Sequence, residues 1–251
     1  MLNPLKRAIS DGLSRMGYQI HRVPGTGSSI YEPVTPLATY APWSADPEFE
    51  LAFRTIRPNT LVDMYRCWEL WTLLEQTAAL NGGILEVGVW RGGTGALLGT
   101  KAKLCGISDP VYLCDTFEGV VKAGSNDPRY TGGEHSDTSQ RMVEELLGKL
   151  SLDNVRILQG IFPDATGHQI PESAGFRFCH IDVDVYQSAK EVFRWVWPRM
   201  AEGGIVVFDD YGFFTCEGIA TFVDQELRKQ PGLVVLHNLN GHAVVVKTAA
   251  N

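Results

Sequence analysis

The sequence has 251 residues, a formal net charge of −7 and a pI near 5.4. That length suits one α/β domain with an N-terminal extension and argues against a second complete domain. A net negative surface is expected to repel nucleic-acid backbones and anionic membranes, which favours a small-molecule or neutral carbohydrate partner over RNA or DNA.

Leu2 to Ile20 carries apolar residues at 5, 9, 13 and 16, the spacing of a short amphipathic helix with a basic face. It lacks the continuous apolar stretch of a signal peptide, and no run in the chain reaches membrane-spanning length. Cysteines at 67, 105, 114, 179 and 216 have no C-x-x-C spacing. The expectation is a soluble cytoplasmic protein with reduced thiols. Residues 23–47, rich in Pro, Gly and Ser, read as a loose arm, so residues 1–48 are set apart from a main domain at 49–251. The arm and first helix also suit contacts in a homo-oligomer. From Phe49 to Ala79 the pattern is helical. Pro58 breaks it, Asn59 and Thr60 are candidate N-caps, and Trp68 and Trp71 are expected in the core.

The stretch Ile84 to Gly99, ILEVGVWRGGTGALLG, predicts a strand, a tight turn and a helix from about Thr94. Gly88, Gly92 and Gly93 permit close backbone approach, and the helix start offers free N–H groups to a carboxylate or phosphate. Gly88 is followed by Val89 and Trp90, so the second glycine of a dinucleotide fingerprint is missing and NAD is disfavoured. Glu86 at the strand end suits an ammonium, so a ligand with both amine and carboxylate fits best. The stretch resembles motif I of class I S-adenosylmethionine (SAM) methyltransferases.

Val111 to Asp115 is a second strand ending in an acid placed to accept hydrogen bonds from both ribose hydroxyls of a nucleoside over the first turn. Residues 118–139 are polar, Gly-rich and too long for a mere connection, and are read as a lid. A helix at Arg141–Leu150 and a third strand at Val155–Gly160 follow. The fourth strand is Phe176–Asp182 with a crossover helix over Ser188–Met200, and the fifth is Ile205–Asp210 after Gly203 and Gly204. A helix at 216–229 precedes an antiparallel hairpin of 233–236 and 243–246. This alternation predicts a Rossmann-like α/β fold, a mostly parallel seven-stranded sheet with a C-terminal antiparallel hairpin and helices on both faces.

Glu86, Asp115, Asp182 and Asp209 each end a separate strand, with Asp184 and Asp210 just beyond, so all six fall along one sheet edge, where ligands of such folds bind. Their repulsion is tolerable with cations among them, and a metal is expected at Asp182, Asp209 and Asp210. All-oxygen ligation suits a hard divalent ion, Mg²⁺ first, with Ca²⁺ or Mn²⁺ as alternatives. His180, inside a strand, is expected as a core histidine rather than a ligand. Candidate cofactor contacts are Glu86, Gly88, Val89, Trp90, Gly92, Gly93 and Thr94, then Asp115, Thr116 and Phe117, then Gly160, Ile161, Phe162 and Asp182.

With HIDVDVYQSAKEVF and GGIVVFDDYG added, residues 55–247 resemble the metal-dependent macrocin O-methyltransferase family, class I enzymes acting on sugar hydroxyls of natural products. The resemblance implies SAM as methyl donor, a sugar-bearing small-molecule acceptor, metal ligands at Asp182, Asp209 and Asp210, and Asp184 as general base. Glu134 and His135 from the lid are rival bases. The chain departs from the family before motif I, with Asn59-Thr60-Leu61 for Y-T-M and Tyr65-Arg66-Cys67 for E-R-L. Arg66 is the residue there that matches. A catechol-type methyltransferase would call for a lysine where Val185 stands, and a catalytically silent SAM-binding subunit is the remaining alternative.

Overall fold

The computed structural model describes residues 30–34 and 38–248. The chain divides into two compact units, residues 1–36 and 37–251, and the second carries all the regular structure described here. The helix expected over Leu2 to Ile20 lies outside the described residues. Within the expected arm, Pro42–Ala45 forms a 3-10 turn.

Helix α1 (Pro47–Ile56) starts at Asp46, whose carboxylate accepts the Glu48 and Phe49 amides and also the Trp71 indole N–H at 3.2 Å. Helix α2 (Met64–Gln76) is capped by Asp63, which accepts from the Tyr65 and Arg66 amides. Asn59 and Thr60, the expected caps, sit in the turn before it, where Thr60 Oγ1 accepts the Val62 amide. Three good capping residues lie within five positions, and the acid nearest the helix takes the role. Trp71 is fully buried and Trp68 packs against the same core.

The rest alternates: β1 (Gly83–Val87), α3 (Gly93–Leu104), β2 (Val111–Asp115), α4 (Gln140–Lys149), β3 (Val155–Gln159), β4 (Phe176–Ile181), α5 (Tyr186–Val196), β5 (Met200–Phe208), α6 (Glu217–Gln225), β6 (Leu233–His237) and β7 (Ala243–Lys247). One seven-stranded sheet has the order β3-β2-β1-β4-β5-β7-β6, with β7 antiparallel to both its neighbours. The fifth strand begins at Met200, five residues earlier than expected, because the pairing with β4 shifts register between Phe176 and Phe178.

Alternate residues of the inner strands enter separate cores. Ile84, Leu113, Phe178 and Val207 pack under α1 to α4, whereas Leu85, Cys114, Cys179 and Val206 pack under α5 and α6. Burial on both faces is why these strands read as unbroken apolar runs. The five cysteines are free thiols, and no helix among the described residues is long and apolar enough to cross a membrane.

Candidate functional site

The first turn is built by backbone. Gly88 has φ +87°, and a Cβ there would stand 1.7 Å from the Asp182 carbonyl oxygen, so no other residue fits. The approach is that close because the ladder continues past the strand ends: the Asp182 amide donates to Val87 O at 2.9 Å and the Gly88 amide to Cys114 O at 3.0 Å. Asp115 closes the turn. Its Oδ2 accepts the Val89 and Trp90 amides at 2.6 and 2.9 Å, and its Oδ1 accepts Phe117 N at 2.6 Å. Of roughly four lone-pair positions on a carboxylate, one remains for a ligand hydroxyl where two were expected.

Over this turn lies a cavity of about 310 Å³, the size of a small-molecule site. Gly88, Val89, Trp90 and Thr94 form one wall. Asp115, Thr116, Gly160, Ile161 and Phe162 form the next, and Asp182, Asp184, Asp209 and Asp210 form the far end. The 118–139 loop supplies Gly119, Val120, Val121, Tyr130 and His135. Glu86, Gly92, Gly93, Phe117 and Glu134 are absent from the lining.

Glu86, expected to meet an ammonium, points away because strand alternation sends it to the face covered by α3. Its Oε1 bonds His180 Nδ1 at 2.8 Å. Its Oε2 has no hydrogen-bond partner and lies 2.5 Å from where a Cβ on Gly95 would be. Gly92, with φ +84°, is the N-cap of α3, and Gly93 opens that helix.

At the far end Asp182, Asp209 and Asp210 each offer an oxygen within 4.8 Å of the others. Burial, then the charges of the neighbouring acids, pushes the Asp182 and Asp210 carboxyls well above the usual range. Asp209 behaves differently. Burial would raise it too, but the Arg66 guanidinium, His180 and His242 outweigh burial and hold it well below that range. Arg66 donates to Asp209 Oδ2, and His242 Nε2 and His180 Nε2 lie 2.8 and 3.4 Å from Oδ1. His180 is indeed in the core; burial alone would lower its pKa, yet the hydrogen bonds and charges of Asp209 and Glu86 raise it to about 10. Three hard oxygen donors converge, and two of them need added positive charge to ionise, so this donor set fits a hard divalent cation.

The three candidate bases separate by geometry. Asp184 Oδ1 accepts the Tyr130 hydroxyl at 2.7 Å and lies 3.7 Å from Cys216 Sγ, and burial raises its pKa. His135 lines the cavity from an otherwise exposed position in the loop. Glu134 is turned into its own loop, where it accepts the Thr131 and Gly132 amides and the Thr131 hydroxyl. Those bonds lower its pKa to about 2 and make it a poor proton acceptor.

The loop is pinned to the first turn: Trp90 Nε1 donates to Asp137 Oδ1 at 2.9 Å, and Arg91 pairs with Asp137 at 2.6 Å. Buried Asp127 ties it to the start of α5 by accepting the Tyr186 amide at 2.8 Å.

No motif marks Tyr130, Glu69 or His242 as site residues, Cys216 shows in the sequence only as a thiol without C-x-x-C spacing, and Arg66 is matched by motif with no contact assigned. The one available signal was the three-residue spacing of Arg66 and Glu69 on a helix, which puts them on one face.

The profile of the family described as macrocin O-methyltransferase (TylF) matches residues 58–242. The chain is 27% identical over 172 residues to 8-demethyl-8-(2,3-dimethoxy-alpha-L-rhamnosyl)-tetracenomycin-C 4'-O-methyltransferase of Streptomyces olivaceus, covering 63% of this chain and 64% of that protein. It is 28% identical over 174 residues to mycinamicin III 3''-O-methyltransferase of Micromonospora griseorubida, covering 63% of this chain and 67% of that one. The chain thus spans under two thirds of the length of the first relative. Among solved structures, the O-methyltransferase NovP superposes with a TM-score of 0.64 at 22% identity, over 76% of this chain and 83% of that one. CalS11, a calicheamicin methyltransferase, gives 0.60 at 19%, over 84% and 99%. At those identities the likeness is one of fold, that of the Rossmann-like O-methyltransferases.

Proposed function

The chain belongs to the macrocin O-methyltransferase (TylF) family, and on that premise we propose that it transfers a methyl group from SAM to a sugar hydroxyl of a glycosylated natural product, with a divalent cation, Mg²⁺ first, at Asp182, Asp209 and Asp210. One relative's name gives a rhamnosyl-bearing tetracenomycin as its acceptor and another's gives mycinamicin III, which supports a sugar-bearing natural product as the acceptor class. The observation that carries the reading is that one cavity joins the Gly88 turn to three convergent carboxylates.

When bound, the sulfonium supplies an electrophilic methyl, and the cation lowers the pKa of a chelated hydroxyl. The chain does the rest by placement. Gly88 lets backbone approach the donor, and Thr94 is the residue of the first turn of α3 that lines the cavity beside it. Asp115 offers its remaining lone pair to the ribose. Asp184 receives the acceptor's proton, its Oδ1 steadied by Tyr130. The 118–139 loop, acting as a lid, keeps water from the reacting atoms.

The test is SAM turnover to S-adenosylhomocysteine with a panel of deoxysugar glycosides, in EDTA and after Mg²⁺ is restored, alongside Asp182→Asn and Asp209→Asn. Turnover with a glycoside, lost in EDTA and in both variants, supports the proposal. Full activity in chelator removes the metal from it, and no turnover with any hydroxylated acceptor removes the enzyme.

A further inference from the structure

Asp209 is held from outside the cavity by His242, and by Glu69 through it, with His180 Nε2 at 3.4 Å from the same Oδ1; none of the three lines the cavity. The antiparallel register pairs Phe208 with Ala243, so the next rung sets Asp209 opposite His242. His242 is fully buried, with Nε2 at 2.8 Å from Asp209 Oδ1 and Nδ1 at 2.6 Å from Glu69 Oε2. Glu69 is fixed in turn: Asn238 Nδ2 donates to its Oε1 and Asn240 Nδ2 to its Oε2 at 2.9 Å. Asn240 Oδ1 also accepts the His242 amide at 3.0 Å, locking the hairpin turn to the same array. One helical turn before Glu69, Arg66 grips the other oxygen of Asp209.

We propose that Glu69 and His242 are positioning residues that set how tightly the acidic cluster binds a divalent cation. The inference rests on the reading that Asp182, Asp209 and Asp210 hold that cation. A carboxylate free to rotate would spend part of its time turned away from the other two ligands. With Oδ1 bonded to His242 and Oδ2 to Arg66, Asp209 keeps one orientation, and hydrogen-bonded outer partners of this kind set metal affinity. Neither Glu69 nor His242 lines the cavity. Their effect runs through Asp209.

The experiment uses the full chain and Mn²⁺ as probe, its affinity read by the loss of the free-ion EPR signal, with SAM affinity measured in parallel. His242→Leu is expected to weaken Mn²⁺ binding about 10- to 100-fold and to leave SAM affinity unchanged. His242→Gln, whose amide can still donate to Asp209, is expected to recover most of the loss. A His242→Leu protein that binds SAM normally and Mn²⁺ as tightly as wild type overturns the proposal, and so does a glutamine variant that fails as badly as the leucine one. If His242→Leu does not fold, Glu69→Gln decides: weaker Mn²⁺ binding with intact SAM affinity supports the proposal, and unchanged Mn²⁺ binding overturns it. Wild type that binds SAM but no Mn²⁺ sinks the cation reading itself, a result separate from any variant's.

Discussion

The Tyr130 hydroxyl donates to Asp184 Oδ1 at 2.7 Å, joining a loop residue to an acid just past the fourth strand across 54 positions of sequence. An acceptor hydroxyl that gives its proton to Asp184 must make the same kind of bond to the same carboxylate. On the proposed reading, then, Asp184 acts and Tyr130 orients it. We predict that Tyr130→Phe lowers kcat about tenfold, the ~1.5 kcal/mol of a hydrogen bond to a charged group. Asp184→Asn should cost roughly a hundredfold or more, as removal of a general base does. SAM affinity, measured by calorimetry, should stay at the wild-type value in both. Equal kcat in Tyr130→Phe and wild type would show the hydroxyl to be idle.

Gly88→Ala places a methyl against the Asp182 carbonyl in a backbone conformation that disfavours side chains. The expected loss is at least ~3 kcal/mol of stability, or roughly 6–12 °C in Tm for a chain of this size. SAM binding should go with it. Thermal unfolding followed by circular dichroism checks the first, calorimetry the second.

Glu134 tests the assignment of the base. Its folded-state pKa is lowered from 4.5 to about 2, so the loop turn it closes gains its stabilisation above pH 4.5 and loses it as pH falls through about 2. Glu134→Gln imitates the protonated form at any pH. We expect faster hydrogen exchange at the Thr131 and Gly132 amides and a raised KM for the acceptor, with kcat largely kept. A fall in kcat of a hundredfold would move the base to Glu134.

Removing divalent cations should separate the two halves of the cavity. The Gly88 turn is held by ladder hydrogen bonds, by the Asp115 carboxylate and by Asp137, and no side chain of the acidic cluster takes part, so SAM affinity in EDTA should match that in Mg²⁺ while acceptor turnover falls. SAM binding that fails in EDTA would mean the cation also organises the cofactor end.

Much of this was legible in sequence for a physical reason. Strands buried on both faces show as apolar runs, and an acid that breaks such a run, as Asp115, Asp182 and Asp209 do, marks the strand's end and thus the sheet edge. What stayed hidden is what periodicity cannot carry. Glu86 ends in the same row but faces α3, because which face a side chain takes depends on where the helices pack. His242 reaches Asp209, and Arg66 reaches the same carboxylate, only through hairpin register and helix packing over 33 and 143 residues. Tyr130 sits in a loop with no period at all.

The rung between Val87 and Asp182, with Gly88 pressed against it, works as a fixed gauge between donor and acceptor. On the proposed reading one side of that rung meets the sulfonium and the other leads to the cation, so the span a methyl group must cross is set by main chain, which side-chain exchange disturbs at Gly88 itself and not along the cavity wall. Acceptor preference can then drift through the loop and the helix before it while the reaction distance stays put.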